Sequence, residues 1–325
     1  MNRFIETTVL NATKAKDVTF HDEIQTLWKG YGRILRIGLQ GCAHESVVVK
    51  HICFPKQPHH RKKSHSDLSH ARKLKSYRVE SAWYRQWSAL CDDDCRVPAC
   101  FAVKQQGDEV VMVLEDLDQA GFKERNRSLP WRQLIVCLRW LAEFHATFLG
   151  KAPENLWKSG TYWHLDTRPE ELKALGNIPL RAAAGRIDTA LRRTNFKTFV
   201  HGDAKVQNFC FTPDGNDAAA VDFQYVGGGC GMKDVCYFLS SCMYEDECER
   251  LEDELLDTYF VLLKKAVEKR HETIDTTALE NDWRSLYRFA WADFHRFYKG
   301  WSGYRFNPDP YSERVAREVI AGLSK

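Results

Sequence analysis

The chain has 325 residues, of which 44% are hydrophobic and 28% charged, with a formal net charge of +3. That composition suits one large or two smaller globular domains with a real core, and the charge is too small to make nucleic acid or a membrane surface the expected partner. No apolar run approaches the roughly 20 residues of a membrane helix, and "MNRFIETTVLNATKAKD" holds no signal-peptide core, so a soluble, cytoplasmic protein is expected.

From Gln25 to Ile52 the chain reads as an antiparallel meander. "TLWKGYGRILRIGLQ" turns at Gly30 to Gly32, "GCAHE" is a second turn, and "SVVVKHI" is a β-branched strand ending near Lys50. Residues 55–78 carry eight Lys or Arg and one Asp, which leaves the remainder of the chain net acidic. They read as a solvated loop leading into an exposed helix, or as a basic docking patch for phosphate-rich partners. Histidines 59, 60, 65 and 70 in this stretch also leave a metal site open.

"YRVESAWYRQWSAL" has helical spacing, with Val79, Trp83 and Trp87 on one face and Glu80 near its middle. "RVPACFAVKQQGDEVVMVLEDL" reads as a hairpin whose second strand ends at Leu114. "LPWRQLIVCLRWLAEFHATFL" is an amphipathic helix with Pro130 at its start. Helices are expected at 170–195, 245–270 and 279–300. The change from strands to helices sets a domain boundary near 118, giving domains 1–117 and 118–325. The 11 cysteines are irregularly spaced with no CxxC pair, so free, mostly buried thiols are expected. Cys91, Cys95 and Cys100 come nearest to a cluster, but they depart from the usual zinc spacings.

The stretch richest in chemistry is "KTFVHGDAKVQNFCF", followed by the turn "TPDGND" and the strand "AAAVDFQ". It reads as strand, polar loop, strand, turn and a strand ending in Asp222. A hairpin of this length brings Asn208 and Asp222 to the mouths of two strands, with Asp203 in the loop before them. An amide and a carboxylate are hard oxygen ligands of the kind Mg²⁺ takes together with substrate phosphates. A further carboxylate off the metal can take the proton of a hydroxyl nucleophile. The spacing D-x-x-x-x-N followed by D-F is the kinase-type arrangement for phosphoryl transfer.

"HGDAKVQN" followed by "VDFQ" resembles the aminoglycoside phosphotransferase and choline kinase superfamily. With "KDVCYFLSSC" it looks most like the ecdysteroid-kinase-like branch. The resemblance runs in order along the chain and implies an α+β, bilobal protein-kinase-like fold, with a small antiparallel-sheet N-lobe and a mainly helical C-lobe. It also implies an ATP- and Mg²⁺-dependent kinase acting on a hydroxyl of a small molecule. By it, Lys50 in "VVVK" holds the ATP α- and β-phosphates and Glu80 is its partner. Backbone groups near Asp116 and Leu117 in "VLEDL" meet adenine, and Gly30 and Gly32 form the one glycine turn placed to cover phosphates. Asp203 is the catalytic base, Asn208 and Asp222 hold Mg²⁺, Asp234 braces the loop backbone, and "LAEFHA" packs behind it. Lys205, two residues after the base, is expected to steady the transferred phosphoryl. A catalytically idle kinase-fold protein that binds nucleotide or a partner is the second reading.

The acceptor is less legible. Trp291, Phe294, Tyr298 and Trp301 share a helical face and read either as core packing or as an aromatic wall for a flat apolar substrate. Joined by Asp293, such a wall would suit a cation. The "YEDECERLEDELLD" stretch reads as a solvated acidic face. "YVGGGCGM" reads either as a mobile segment over the acceptor or as a plain flexible loop.

Overall fold

The computed structural model describes residues 2–54, 65–302 and 310–323. The chain divides into two compact units, one made of Met1–Arg125 and Cys210–Val221, the other of Asn126–Phe209 and Asp222–Lys325. An antiparallel sheet dominates the first and helices the second, which is the α+β class the sequence implies.

The first unit opens with α1 (Arg3–Thr13), capped by the Asn2 side chain accepting from the Phe4 amide. Its sheet contains β1 (Asp17–Thr26), β2 (Gly32–Gln40), β3 (Ser46–Cys53), β4 (Cys100–Gln106) and β5 (Glu109–Glu115), in the spatial order β1-β2-β3-β5-β4. Ile5 and Val9 of α1 pack on Leu35, Ile37, Val47, Val49, Val111 and Val113, which alternate along three strands and so line one face. Because α1 covers that face, strands β3 and β5 can be apolar almost throughout. Helix α2 (His65–Gln86) buries Val79 and Trp83, as their spacing predicts. Residues 55–64 of the basic stretch, with His59 and His60, lie outside the described residues, and the remainder of the stretch opens α2.

The second unit is built on α3 (Trp131–Thr147), α4 (Pro169–Ala174), α5 (Ile178–Arg192), α6 (Met232–Cys242), α7 (Glu245–Arg270), α8 (Thr276–Ser302) and α9 (Tyr311–Leu323). The single helix expected at 170–195 is two helices. The chain breaks at Leu175 and Gly176, and Asn177 caps α5 by accepting from the Leu180 amide at 3.0 Å, just ahead of Pro179. Trp140 stacks on Phe144 with ring centroids 4.9 Å apart, Phe148 stacks on Phe199 at 4.8 Å, and Trp140 meets Phe209 edge-on at 5.5 Å. This aromatic core fixes α3 against the short strand β6 (Thr198–Val200). Truncating Trp140 to alanine would cost about 3–5 kcal/mol.

Two further corrections concern the motif region. β7 (Phe209–Phe211) and β8 (Ala218–Ala220) pair as a hairpin, but β8 stops two residues before Asp222, whose φ of 68° is left-handed and cannot continue a strand. The glycine-rich stretch after Gln224 is not a plain loop. Gly227–Gly229 forms β9, antiparallel to β6, and Gly228 exchanges backbone bonds with Trp157 and Gly160. A Cβ on Gly227 would lie 2.2 Å from the Trp157 carbonyl oxygen, so the glycine is there for close backbone approach.

Candidate active site

In the first unit, Lys50 stands on β3 and Glu80 on α2. The Lys50 ammonium lies 2.7 Å from Glu80, and both side chains are almost wholly buried. A desolvated ion pair of this kind is a weak source of stability, but losing one partner leaves an uncompensated charge, at about 3–5 kcal/mol. Gly30 has φ +74° and open space at its Cβ position. Gly32 is required by packing, because a Cβ there would meet the His51 carbonyl oxygen at 1.9 Å. The Asp116 side chain accepts from Arg36 Nε at 2.8 Å and Ser46 Oγ at 2.6 Å, tying the end of β5 to β2 and β3. Its carbonyl and that of Leu117 accept from the Ala120 and Phe122 amides. Leu117 packs on Cys210 and Ala219 of the β7–β8 hairpin.

In the second unit the loop after β6 is held from behind. Asp234, wholly buried near the start of α6, accepts from the His201 amide at 2.5 Å and the Gly202 amide at 2.9 Å. His145 Nε2 lies 3.2 Å from the same carboxylate, and its Nδ1 is 2.7 Å from the Tyr259 hydroxyl. The helix carrying "LAEFHA" thus reaches the loop through Asp234. Gly202 has φ +80°, and a Cβ there would fall 2.2 Å from the Tyr225 carbonyl oxygen. Only glycine fits without displacing backbone.

This bracing presents Asp203. Lys205 Nζ lies 3.2 Å from one carboxylate oxygen, and the Tyr237 hydroxyl donates to the other at 3.2 Å. The Asn208 amide nitrogen donates to the Asp203 carbonyl at 2.7 Å, closing the loop on itself. Burial, aided by the Asp222 charge, pushes the Asp203 carboxyl up to about 6, although Lys205 and Asn208 oppose the shift. Gln224 donates to Asp222 Oδ1 at 2.6 Å. Asn208 immediately precedes β7, and Asp222 stands two residues after β8.

Of the four aromatic residues of the expected wall, Phe294, Tyr298 and Trp301 run together, with ring centroids 6.1 and 6.3 Å apart in turn, and Trp291 stands apart. Trp291 is core, edge-on to Tyr311. Phe294 packs on Trp163 and Tyr237, while Tyr298 and Trp301 are exposed on the last turns of α8. Asp293 cannot meet an external cation. It is wholly buried, bound to Arg296 at 2.8 Å and facing Lys233 at 3.7 Å. The acidic helix face is also not wholly solvated, since Glu252 turns inward to Tyr311 and Arg288.

Sequence reasoning missed Tyr237, Tyr162 and Gly202. Tyr237 follows Asp234 by three residues, so both project from one face of α6 toward the loop. Tyr162 stands edge-on to Tyr237, with ring centroids 5.4 Å apart. It comes from a coil segment whose place beside the loop no local pattern reveals. Gly202 stood inside the H-G-D motif, where a glycine between two polar residues is itself a sign of unusual backbone. None of the eleven cysteines is in a disulfide, and Cys91, Cys95 and Cys100 form no metal-capable group among the described residues.

A model of the ecdysteroid kinase-like family matches residues 34–154 and 170–272, more than half of the chain. No curated protein matches. Among solved structures, a microcompartment-associated aminopropanol kinase is 14% identical, with a TM-score of 0.47 over 98% of this chain and 93% of its own. An aminoglycoside phosphotransferase from Streptomyces rimosus is 12% identical, with a TM-score of 0.45 over 86% and 92%. A choline/ethanolamine kinase family protein from Mesorhizobium loti is 13% identical, with a TM-score of 0.41 over 94% and 87%.

Proposed function

Since the chain belongs to the ecdysteroid kinase-like family, we propose that it is an ATP- and Mg²⁺-dependent phosphotransferase that moves the γ-phosphate to a hydroxyl group of a small molecule. The observation that carries the reading is Asp203. It is a buried carboxylate raised to about 6, on a loop whose backbone is clamped by Asp234, with a lysine on one oxygen and a tyrosine on the other. A base with this affinity is ionised near neutrality yet still takes a proton readily.

In this reading Asp203 accepts the hydroxyl proton of the acceptor as the oxygen–phosphorus bond forms, and ADP leaves with the electrons of the broken bond. Asn208 and Asp222 would hold Mg²⁺, which supplies charge neutralisation at the phosphate oxygens. The donor set fits, being one amide and one carboxylate, with Asp222 held in place by Gln224. Lys50, fixed by Glu80, is assigned to the α- and β-phosphates, and backbone groups near Asp116 and Leu117 to adenine. Gly30 and Gly32 are assigned to the turn over the phosphates. Lys205 turns from Asp203 toward the transferred phosphoryl, whose loose transition state spreads charge over three oxygens. Tyr162, Tyr237 and Phe294 give the acceptor side an aromatic lining. No helix among the described residues is long and apolar enough to cross a membrane, and a cytoplasmic place of action is proposed with the function.

The test is ADP release from Mg²⁺-ATP across a panel of amino alcohols, sugars, sterols and aminoglycosides, with Asp203→Asn as control. Release that depends on one acceptor class and disappears in the variant supports the reading. ATP that raises the melting temperature while no acceptor is phosphorylated would favour the idle nucleotide-binding protein.

A further inference from the structure

Away from the residues assigned to phosphoryl transfer, one cluster unites three kinds of metal-ligating side chain. His51 and Cys53 lie two apart on β3 and so project from the same face of the sheet. Glu109 opens β5 directly opposite Cys53. His51 Nε2 is 2.8 Å from Glu109 Oε2 and 3.4 Å from Cys53 Sγ. One ligand atom from each residue lies within 4.8 Å of the others. Lys50, between Val49 and His51, projects from the opposite face to Glu80, so the cluster is separate from the lysine pair.

We propose that His51, Cys53 and Glu109 form a binding site for a borderline divalent transition-metal ion of the zinc class, with a fourth position open to water. Ligand bonds of about 2.0–2.3 Å place the ligand atoms of a tetrahedral site roughly 3.3–3.8 Å apart. The observed separations bracket that range, so the three side chains need only small rotations to surround an ion. Imidazole, thiolate and one carboxylate select zinc-like ions over magnesium, which prefers oxygen alone. His51 is buried and its backbone is fixed by the sheet on both sides, with Arg33 opposite on β2 and Val111 opposite on β5. Glu109 keeps 39% of its side chain exposed, which provides an entry path.

A supporting contact is already present. Asn2 Nδ2 donates to Glu109 Oε2 at 3.0 Å, and the same Asn2 is fixed by capping α1. Outer bonds of this type orient a ligating carboxylate. Arg33, opposite His51 on β2, is half exposed and lies 3.6 Å from Glu23, and its charge is also felt at the Cys53 thiol. Burial and the Glu109 charge raise the Cys53 thiol. Binding releases the thiol proton as the metal–sulfur bond forms. Neither the site nor its ion takes part in the proposed phosphoryl transfer.

The test uses the full chain stripped with a chelator. Co²⁺ is titrated in excess Mg²⁺ while the thiolate-to-cobalt absorption band is followed, and Zn²⁺ is then used to displace it. One equivalent of Co²⁺ with a thiolate band is expected. The band should vanish in Cys53→Ser, and affinity should fall at least tenfold in His51→Gln and Glu109→Gln, with melting temperatures of the metal-free variants near the parent's. X-ray absorption of the Zn²⁺-loaded parent needs no variant and should give one sulfur with nitrogen and oxygen neighbours. An undiminished band in Cys53→Ser, a shell with no sulfur or with several, or no saturable binding at all would overturn the proposal.

Discussion

Asp203 shows what one buried charge costs and what it supplies. Its folded-state value of about 6 lies above the ordinary aspartate value of about 3.9, so the folded chain holds this proton more tightly than the unfolded chain. Taken alone, the group makes the fold less stable above about pH 6 than below about pH 4. Asp203→Asn removes that burden and, with it, the proposed base. In chelator, the variant should melt higher than the parent near pH 8, by the equivalent of about 1–3 kcal/mol, and the gain should fade as pH falls through about 6. Its phosphotransfer should fall by about 10²–10⁴-fold. Melting curves at the two ends of this range decide the matter, and a variant less stable than the parent near pH 8 would show that the carboxylate is not the strained group described. Tyr237 acts on the same carboxylate by donating to its ionised form. Tyr237→Phe should move the acidic limb of the pH–rate profile upward by about half to one unit, since a donor to the charged form lowers a pKa. A limb that stays in place would reduce Tyr237 to packing.

At the scale of elements, glycine explains where the sequence could and could not be read. Strands β2 and β3, the 96–117 hairpin and α3 were legible because alternation, turn residues and helical spacing are local signals, whereas β1 lies almost wholly before Gln25, where the meander was expected to begin. The H-G-D loop was legible as a polar break between strands, because short polar residues interrupt two apolar runs there. The run Gly227–Gly229 was not legible, because its composition signals a loop while its role as β9 comes from Trp157 and Val200, distant in sequence. Two substitutions separate these meanings. Gly227→Ala forces a Cβ to within 2.2 Å of the Trp157 carbonyl and should destabilise the second unit by roughly 2–4 kcal/mol. Gly185 lies exposed within α5, with nothing within 4 Å of where a Cβ would stand, and Gly185→Ala should stabilise by about 0.5–1 kcal/mol. Denaturant midpoints measure both, and equal effects of one sign would show that the glycines were assigned wrongly. Tyr162 and Asp293 lay outside such reading altogether, since only tertiary packing reveals that one approaches the loop and the other is sealed in with Arg296.

At the scale of the whole molecule, the assigned chemistry is divided between the two compact units. Lys50 and Glu80 belong to the first, and Asp203, Asn208 and Asp222 to the second. If one reaction uses them all, nucleotide stabilisation must be sensitive to a change in either unit. A ligand that binds only the folded state at 100 times its Kd adds about 2.7 kcal/mol, which is a rise of several degrees in a domain of ordinary size. Mg²⁺-ATP should raise the parent's melting temperature by that order. Asp222→Ala should lose most of the rise and, unlike the parent, should respond to ATP equally with Mg²⁺ and with chelator. Lys50→Met should also lose most of it, although its own baseline falls because Glu80 is left buried without its cation. Each shift is therefore measured against the variant's own nucleotide-free curve. Loss in both variants is what a shared nucleotide predicts. A full shift retained in Lys50→Met would detach the first unit from nucleotide binding, and with it the reading of the Lys50–Glu80 pair as anything more than a buried ion pair.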